Sequence, residues 1–180
     1  VFGLGRIGSL VAERARAFGM RVIGYDPYAS EARANEMGVE LMSDIDEIVK
    51  QADVITVHLP KTKETIGMFD LRRLELMRDN VILVNAARGG IYAEDMLIEG
   101  LKSGKIGAVG IDVYEKEPCT TSPLIEFDNA ILTPHLGAST KEAQERAGIQ
   151  IAEYVALGLE GRMVATAVNV TPVPADVMQR

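Results

Sequence analysis

The 180-residue chain has no tryptophan, one cysteine and two histidines, and aromatic residues make up only 5% of it. A single thiol, Cys119, cannot close an internal disulfide, so packing and hydrogen bonds have to hold the fold. Neither a neighbouring base nor a helix start marks Cys119 as a lowered-pKa thiol, and it is read as incidental. Long apolar runs are missing, which excludes a membrane-spanning helix. Positive charge is short: 19 Lys and Arg stand against 26 Asp and Glu, a net charge of −7. That balance argues against the clustered basic surface a nucleic-acid partner needs. No metal site is expected. No secretory leader is expected, which with the lone cysteine points to a reducing, cytoplasmic setting. The chain does not begin with methionine, and only Val1 and Phe2 precede its first glycine, where a strand ordinarily runs about five residues. It is therefore expected to be an excerpt of a longer protein, with its first strand cut short and any upstream domain out of view.

What is present suits one soluble domain with a real core: 47% of residues are apolar and 25% charged. The organising stretch is Val1-Phe-Gly3-Leu-Gly5-Arg6-Ile7-Gly8, read as a strand end turning into a helix. Glycines in this G-x-G-x-x-G spacing let the backbone turn tightly, approach a pyrophosphate without a Cβ in the way, and pack helix on strand. Amides of the first helical turn then face the phosphates, where the helix dipole favours negative charge. A periodic helix through Leu10, Val11, Ala15 and Phe18 follows, then the apolar run Arg21–Tyr25, and Asp26 stands 18 positions after Gly8. Its carboxylate is placed to accept from an adenosine ribose diol and to repel a 2′-phosphate, which favours NAD over NADP. The plainer reading of Asp26 is a turn residue before Pro27.

Along the chain, strands and helices alternate. Ser30 is expected to cap a helix to Met37, ended by Gly38; Val39–Leu41 is a short edge strand; Ser43 is expected to cap a helix through Val49. Asp53–Val57 reads as a buried strand closed by His58-Leu59-Pro60, residues 70–77 as a helix, and Asn80–Val84 as a strand broken by Asn85-Ala-Ala87-Arg88. A helix over Glu94–Ser103 precedes the small-residue strand Ile106–Ile111, a proline-containing loop, the strand Asn129–Thr133, and a helix capped by Ser139 that runs to about Leu159. The tail from Thr171, with Pro172 and Pro174, reads as extended. This order predicts an α/β fold, a Rossmann-type doubly wound parallel sheet in three α/β/α layers. Residues 1–165 would form the nucleotide-binding domain and 166–180 a return segment toward another domain.

Ligands in such sheets bind beyond the carboxyl ends of the strands. Here the apolar runs end in Asp26, His58, Arg88, Asp112 and His135, and both histidines share that address. An imidazole, with an ordinary pKa near ~6.5, takes or gives a proton around neutral pH, and Glu117 could orient that of His135. Arg88 offers a planar fork for a substrate carboxylate. Asp112 could hold a nicotinamide carboxamide or merely cap a turn, and His58 is as readily scaffold as ligand. Together the groups describe hydride exchange at a 2-hydroxy or 2-oxo acid: the hydride goes to NAD, the hydroxyl proton to His135, and Arg88 fixes the acid.

Four ordered motifs resemble the D-2-hydroxyacid dehydrogenases: Gly3-Leu-Gly-Arg-Ile-Gly8, Asn85-Ala-Ala-Arg-Gly-Gly90, Gly110-Ile-Asp-Val-Tyr-Glu-Lys-Glu-Pro118 and Thr133-Pro-His-Leu-Gly137. The resemblance implies a catalytic set of Arg88, Glu117 and His135. It also implies a cofactor surface of Gly3, Gly5, Arg6, Ile7, Gly8, Asp26, His58, Pro60, Ala87, Asp112, His135 and Gly137. Gly137-Ala-Ser-Thr-Lys-Glu-Ala-Gln144 and Tyr25-Asp-Pro-Tyr28 look most like the branch that oxidises 3-phosphoglycerate at the start of serine synthesis. By the same resemblance a homodimer is expected, and Ala167-Val-Asn169 would begin the return to a substrate domain. Glyoxylate or hydroxypyruvate reductases and NAD-sensing corepressors of the same fold carry the same residues and stand as alternatives.

Overall fold

A computed structural model describes residues 1–169; the extended tail expected from Thr171 lies outside the described residues. In chain order the elements are α1 (Arg6–Ala17), β1 (Ile23–Gly24), α2 (Glu31–Glu36), β2 (Glu40–Leu41), α3 (Ile45–Val49), β3 (Val54–Val57), α4 (Leu71–Leu76), β4 (Val81–Asn85), α5 (Glu94–Ser103), β5 (Ile106–Ile111), β6 (Ala130–Leu132) and α6 (Lys141–Leu159). A 3-10 turn at Pro123–Glu126, which the sequence reading did not anticipate, starts where the Ser122 hydroxyl accepts from the Leu124 amide at 3.2 Å.

Caps set most helix starts. Ser30 accepts from the Arg33 amide as expected, and Asp70 from that of Arg73. Two caps fall one residue later than expected. Asp44, not Ser43, begins α3, because its carboxylate takes the amides of both Asp46 and Glu47. Thr140, not Ser139, begins α6, its hydroxyl accepting from Ala143. In each pair both side chains can cap, so composition alone left the register open by one residue.

All strand pairs are parallel. β1 pairs with β2, and β3, β4, β5 and β6 follow in order. Val1 and Phe2 join the two groups. The Val1 carbonyl accepts from Tyr25 and the Gly3 amide donates to Tyr25, while Phe2 exchanges backbone hydrogen bonds with Thr56 and His58. Across the molecule the order is thus β2, β1, residues 1–3, β3, β4, β5, β6. The chain leaves residues 1–3 toward one edge and returns to build the other, so the glycine turn sits where strand order reverses, the usual ligand crevice of an open α/β sheet.

One apolar cluster fills the space under α4 and α5: Phe2, Ile55, Phe69, Leu83, Met96 and Ile106 are fully buried. Phe2 meets Phe69 edge-on, with ring centres 4.9 Å apart. A smaller cluster of Leu4, Ala12, Val22, Ala34 and Val39 lies under α1 and α2. The run Asp53–Val57 is buried on one face only: Ile55 and Val57 point into the core, whereas Val54 is 41% exposed. α4 and α5 pack together over the inward-facing residues, and side chains that alternate along each strand leave the intervening residues outside. The described residues from Ala138 onward form a separate compact unit containing α6. Among the described residues no helix is long and apolar enough to cross a membrane.

Candidate functional site

Register brings the strand ends level. Val57 pairs with Asn85, Asn85 with Ile111, and Ile111 with Leu132, so the residues that follow each strand emerge along one edge. His58, residues 86–88, Asp112 and residues 133–137 all occupy it.

The glycine turn fits a dinucleotide at each of its three positions. Gly3 adopts φ +91°, and a Cβ there would stand 2.6 Å from the His58 carbonyl oxygen. A Cβ on Gly8 would lie 1.8 Å from the Gly3 carbonyl oxygen, which is how closely α1 packs on the turn. A Cβ on Gly5, by contrast, would meet nothing within 4 Å, so the turn faces open space at that position. No side chain caps α1, and its first turn carries no acid. The amides of exposed Arg6 and Ile7 therefore present a bare positive helix end, suited to a pyrophosphate. Beside it, Asp26 accepts from the Leu4 amide at 2.7 Å through one oxygen and from the Tyr28 amide at 2.8 Å through the other. A carboxylate has about four acceptor positions, so Asp26 is fixed in place with capacity left for a diol. His58 is half-buried, its Nε2 3.1 Å from the Thr56 hydroxyl, and burial lowers its pKa from the ordinary value. Pro60 gives its carbonyl to the Thr65 hydroxyl.

At the other end of the edge, His135 Nδ1 lies 2.7 Å from Glu117 Oε2. That hydrogen bond, followed by one from the Tyr114 amide to Oε1, holds the Glu117 carboxyl below the usual range, so it stays ionised through mildly acid pH. His135 has φ +59°, a backbone conformation that must be imposed on an L-residue. Asp112 imposes it. One of its oxygens accepts from the Thr133 hydroxyl at 2.5 Å and the Leu136 amide at 2.7 Å, the other from the Gly137 amide at 2.8 Å. Burial pushes the Asp112 carboxyl up, but these three donors outweigh it and leave the pKa below the ordinary value. The turn-capping role of Asp112 is thus present in full, on the turn that carries His135.

The loop that carries Arg88 packs against the loop of Glu117, while the guanidinium itself donates to the Ala87 carbonyl at 2.6 Å. Asn85, buried at the end of β4, accepts from the Ala87 amide at 3.0 Å and donates to the Arg88 carbonyl at 2.9 Å, closing a tight turn. The next residue, Gly89, lies so close to Tyr114 that a Cβ would stand 1.9 Å from its carbonyl oxygen. Tyr114 in turn holds Glu117 with its amide and the Thr133 carbonyl with its hydroxyl, at 3.0 Å each. Loops after β4, β5 and β6 are therefore interlocked, with the Arg88 guanidinium, the Glu117 carboxylate and the His135 ring all exposed on them. A cavity of about 260 Å³ beneath, between Asn85, Tyr92, Tyr114 and Ser122, includes none of those three groups. Sequence reasoning missed Asn85 and Tyr114 as the residues that position these loops. A strand-end Asn before two alanines is a local Asx-turn signal, whereas the partner of the Tyr114 hydroxyl is 19 residues away and leaves no local trace.

Comparison with known proteins agrees with this geometry. Residues 1–137 match the family described as D-isomer specific 2-hydroxyacid dehydrogenase, NAD binding domain. The D-3-phosphoglycerate dehydrogenase of Mycobacterium leprae is 55% identical over 94% of the chain, and that of Methanocaldococcus jannaschii 49% identical over 98%. The chain spans about a third of their length, 32% and 34%. Among solved structures, the holo form of Rhodotorula graminis D-mandelate dehydrogenase superposes with a TM-score of 0.87 at 29% identity, covering 97% of this chain and 51% of that one. D-lactate dehydrogenase from Aquifex aeolicus, complexed with NAD and lactic acid, gives 0.79 at 36% identity, covering 89% and 52%. The chain belongs to the D-isomer specific 2-hydroxyacid dehydrogenases and is an NAD-binding domain of that family.

Proposed function

We propose that this chain is the cofactor-binding and catalytic part of a longer cytoplasmic, homodimeric enzyme that oxidises 3-phosphoglycerate to 3-phosphohydroxypyruvate in serine biosynthesis. The observation that carries the reading is the 2.7 Å His135–Glu117 pair on loops interlocked with that of Arg88. The identities to relatives named D-3-phosphoglycerate dehydrogenase support the substrate.

Bound in the cleft, NAD supplies the hydride acceptor. Glu117 holds a proton on Nδ1 of His135, which leaves Nε2 free to accept the proton of the substrate hydroxyl as the C–H hydride departs and the carbonyl forms. The imidazolium that results faces an ionised Glu117. Arg88 pairs with the substrate carboxylate and fixes the carbon bearing the hydroxyl. Asp112, through Thr133, Leu136 and Gly137, keeps the His135 turn in its left-handed conformation. Gly3, Gly5, Arg6, Ile7 and Gly8 would form the turn that holds the pyrophosphate and Asp26 would hold the adenosine ribose, while His58, Pro60, Ala87 and Gly137 would line the rest of the cofactor site.

Assaying the whole enzyme with 3-phosphoglycerate and NAD tests this directly, and NADH formation is the expected result. Intact NAD binding with no turnover would end the enzymatic reading; faster turnover of D-lactate would redirect the substrate. In the same assay Asp26→Ala is expected to weaken NAD about tenfold, the scale of losing hydrogen bonds to a charged group, and to narrow the preference over NADP. An unaltered preference would move selectivity elsewhere.

A further inference from the structure

Tyr28 is the most exposed aromatic ring among the described residues, at 96%; only Phe18 comes near it, at the opposite end of α1 from the glycine turn. Large rings usually bury most of their surface, and a single exposed one is unremarkable on a random patch. This one is not on a random patch. Its amide donates at 2.8 Å to the Asp26 oxygen that is not taken by Leu4. One carboxylate therefore fixes both the glycine turn and the backbone of Tyr28. Pro27 between them has its φ restricted by its ring, so Tyr28 leaves the strand end in a set direction. No aromatic partner engages the ring.

We propose that Tyr28 is the stacking platform for the adenine ring of NAD. The inference rests on the NAD-binding assignment and adds to it a residue and a half of the cofactor. An adenosine ribose hydrogen-bonded to Asp26 carries its base one glycosidic bond away, beside the residue whose amide the same carboxylate holds. Adenine offers a flat π-face with no charge to satisfy, and a tyrosine ring left in water gains on stacking against it. Asp26 reads the sugar; Tyr28 covers the base.

Equilibrium binding to the whole enzyme tests this without turnover. Tyr28→Ala is expected to raise the Kd for NAD about tenfold, the effect of removing an aromatic from beneath a base, while leaving the Kd for nicotinamide mononucleotide unchanged. Tyr28→Phe should restore NAD affinity to within about twofold, since the π-face rather than the hydroxyl does the stacking. Because these 180 residues contain no tryptophan, Tyr28→Trp installs an indole reporter at the strand end. Its fluorescence is expected to be quenched by NAD and by AMP, and not by nicotinamide mononucleotide. A wild-type Kd for Tyr28→Ala, or an indole that responds to nicotinamide mononucleotide and not to AMP, would overturn the stacking role with NAD binding intact. Failure of the unaltered enzyme to bind NAD would instead remove the cofactor assignment beneath it.

Discussion

Replacing His135 by alanine in the whole enzyme is expected to lower kcat by ~10²-fold or more and to leave the Kd for NAD nearly unchanged. In the proposed reaction the effect falls on the chemical step, because the ring would meet the reacting hydroxyl while the glycine turn and Asp26 would hold the cofactor at the other end of the sheet edge. Alanine alone leaves one ambiguity. Position 135 has φ +59°, which costs an alanine roughly 1 kcal/mol and could loosen the turn. His135→Asn removes it, since asparagine tolerates the left-handed region and still cannot act as the base at neutral pH. Equal loss of kcat in both variants, with NAD binding retained, assigns the loss to the missing proton acceptor. Wild-type turnover in His135→Asn would reject the role.

Gly8→Ala is expected to abolish measurable NAD binding and to destabilise the fold by ~3 kcal/mol or more. The added methyl would sit 1.8 Å from the carbonyl oxygen of Gly3, and the obstacle is backbone rather than the end of a flexible side chain. To make room, α1 has to move off the turn or the turn has to open. Either motion displaces the amides of Arg6 and Ile7 from the phosphate position, and the first also disturbs the cluster of Leu4, Ala12 and Val39. Gly5→Ala makes the control: its Cβ meets no protein atom within 4 Å, so stability should hold while NAD weakens, the methyl facing the space the pyrophosphate needs. Thermal denaturation and NAD titration of the two variants separate the effects. A Gly8→Ala protein with wild-type Tm and Kd would mean that the turn is not packed as closely as described.

The glycine turn and the strand-end residues were legible because their signals are local. Three glycines in spacing, an acid 18 positions on and polar residues closing apolar runs are each readable within a few positions. Where two capping residues stood side by side, Ser43 and Asp44 or Ser139 and Thr140, local pattern could not choose. The half-exposure of Val54 was hidden for a different reason: a run of Val, Ile and Thr reads the same whether one or both faces of the strand are covered. Asp112 shows the limit most clearly. From its position it was equally a nicotinamide partner or a turn cap, and only coordinates reveal that both oxygens are engaged by residues 21 to 25 positions later.

By itself the amino-acid order settled the alternation of strands and helices, the parallel sheet, the nucleotide turn, and which side chains end the strands. Those are consequences of periodicity and of backbone freedom at glycine, both encoded over a few residues. That the turn sits where strand order reverses came from the tertiary structure. The tertiary structure alone decided how the loops carrying Arg88, Glu117 and His135 interlock, through Gly89 against Tyr114, Tyr114 against Thr133, and Asp112 beneath the turn. Such contacts join residues tens of positions apart at distances of about 3 Å, and a hydrogen bond's dependence on length and angle has no counterpart in the spacing of letters.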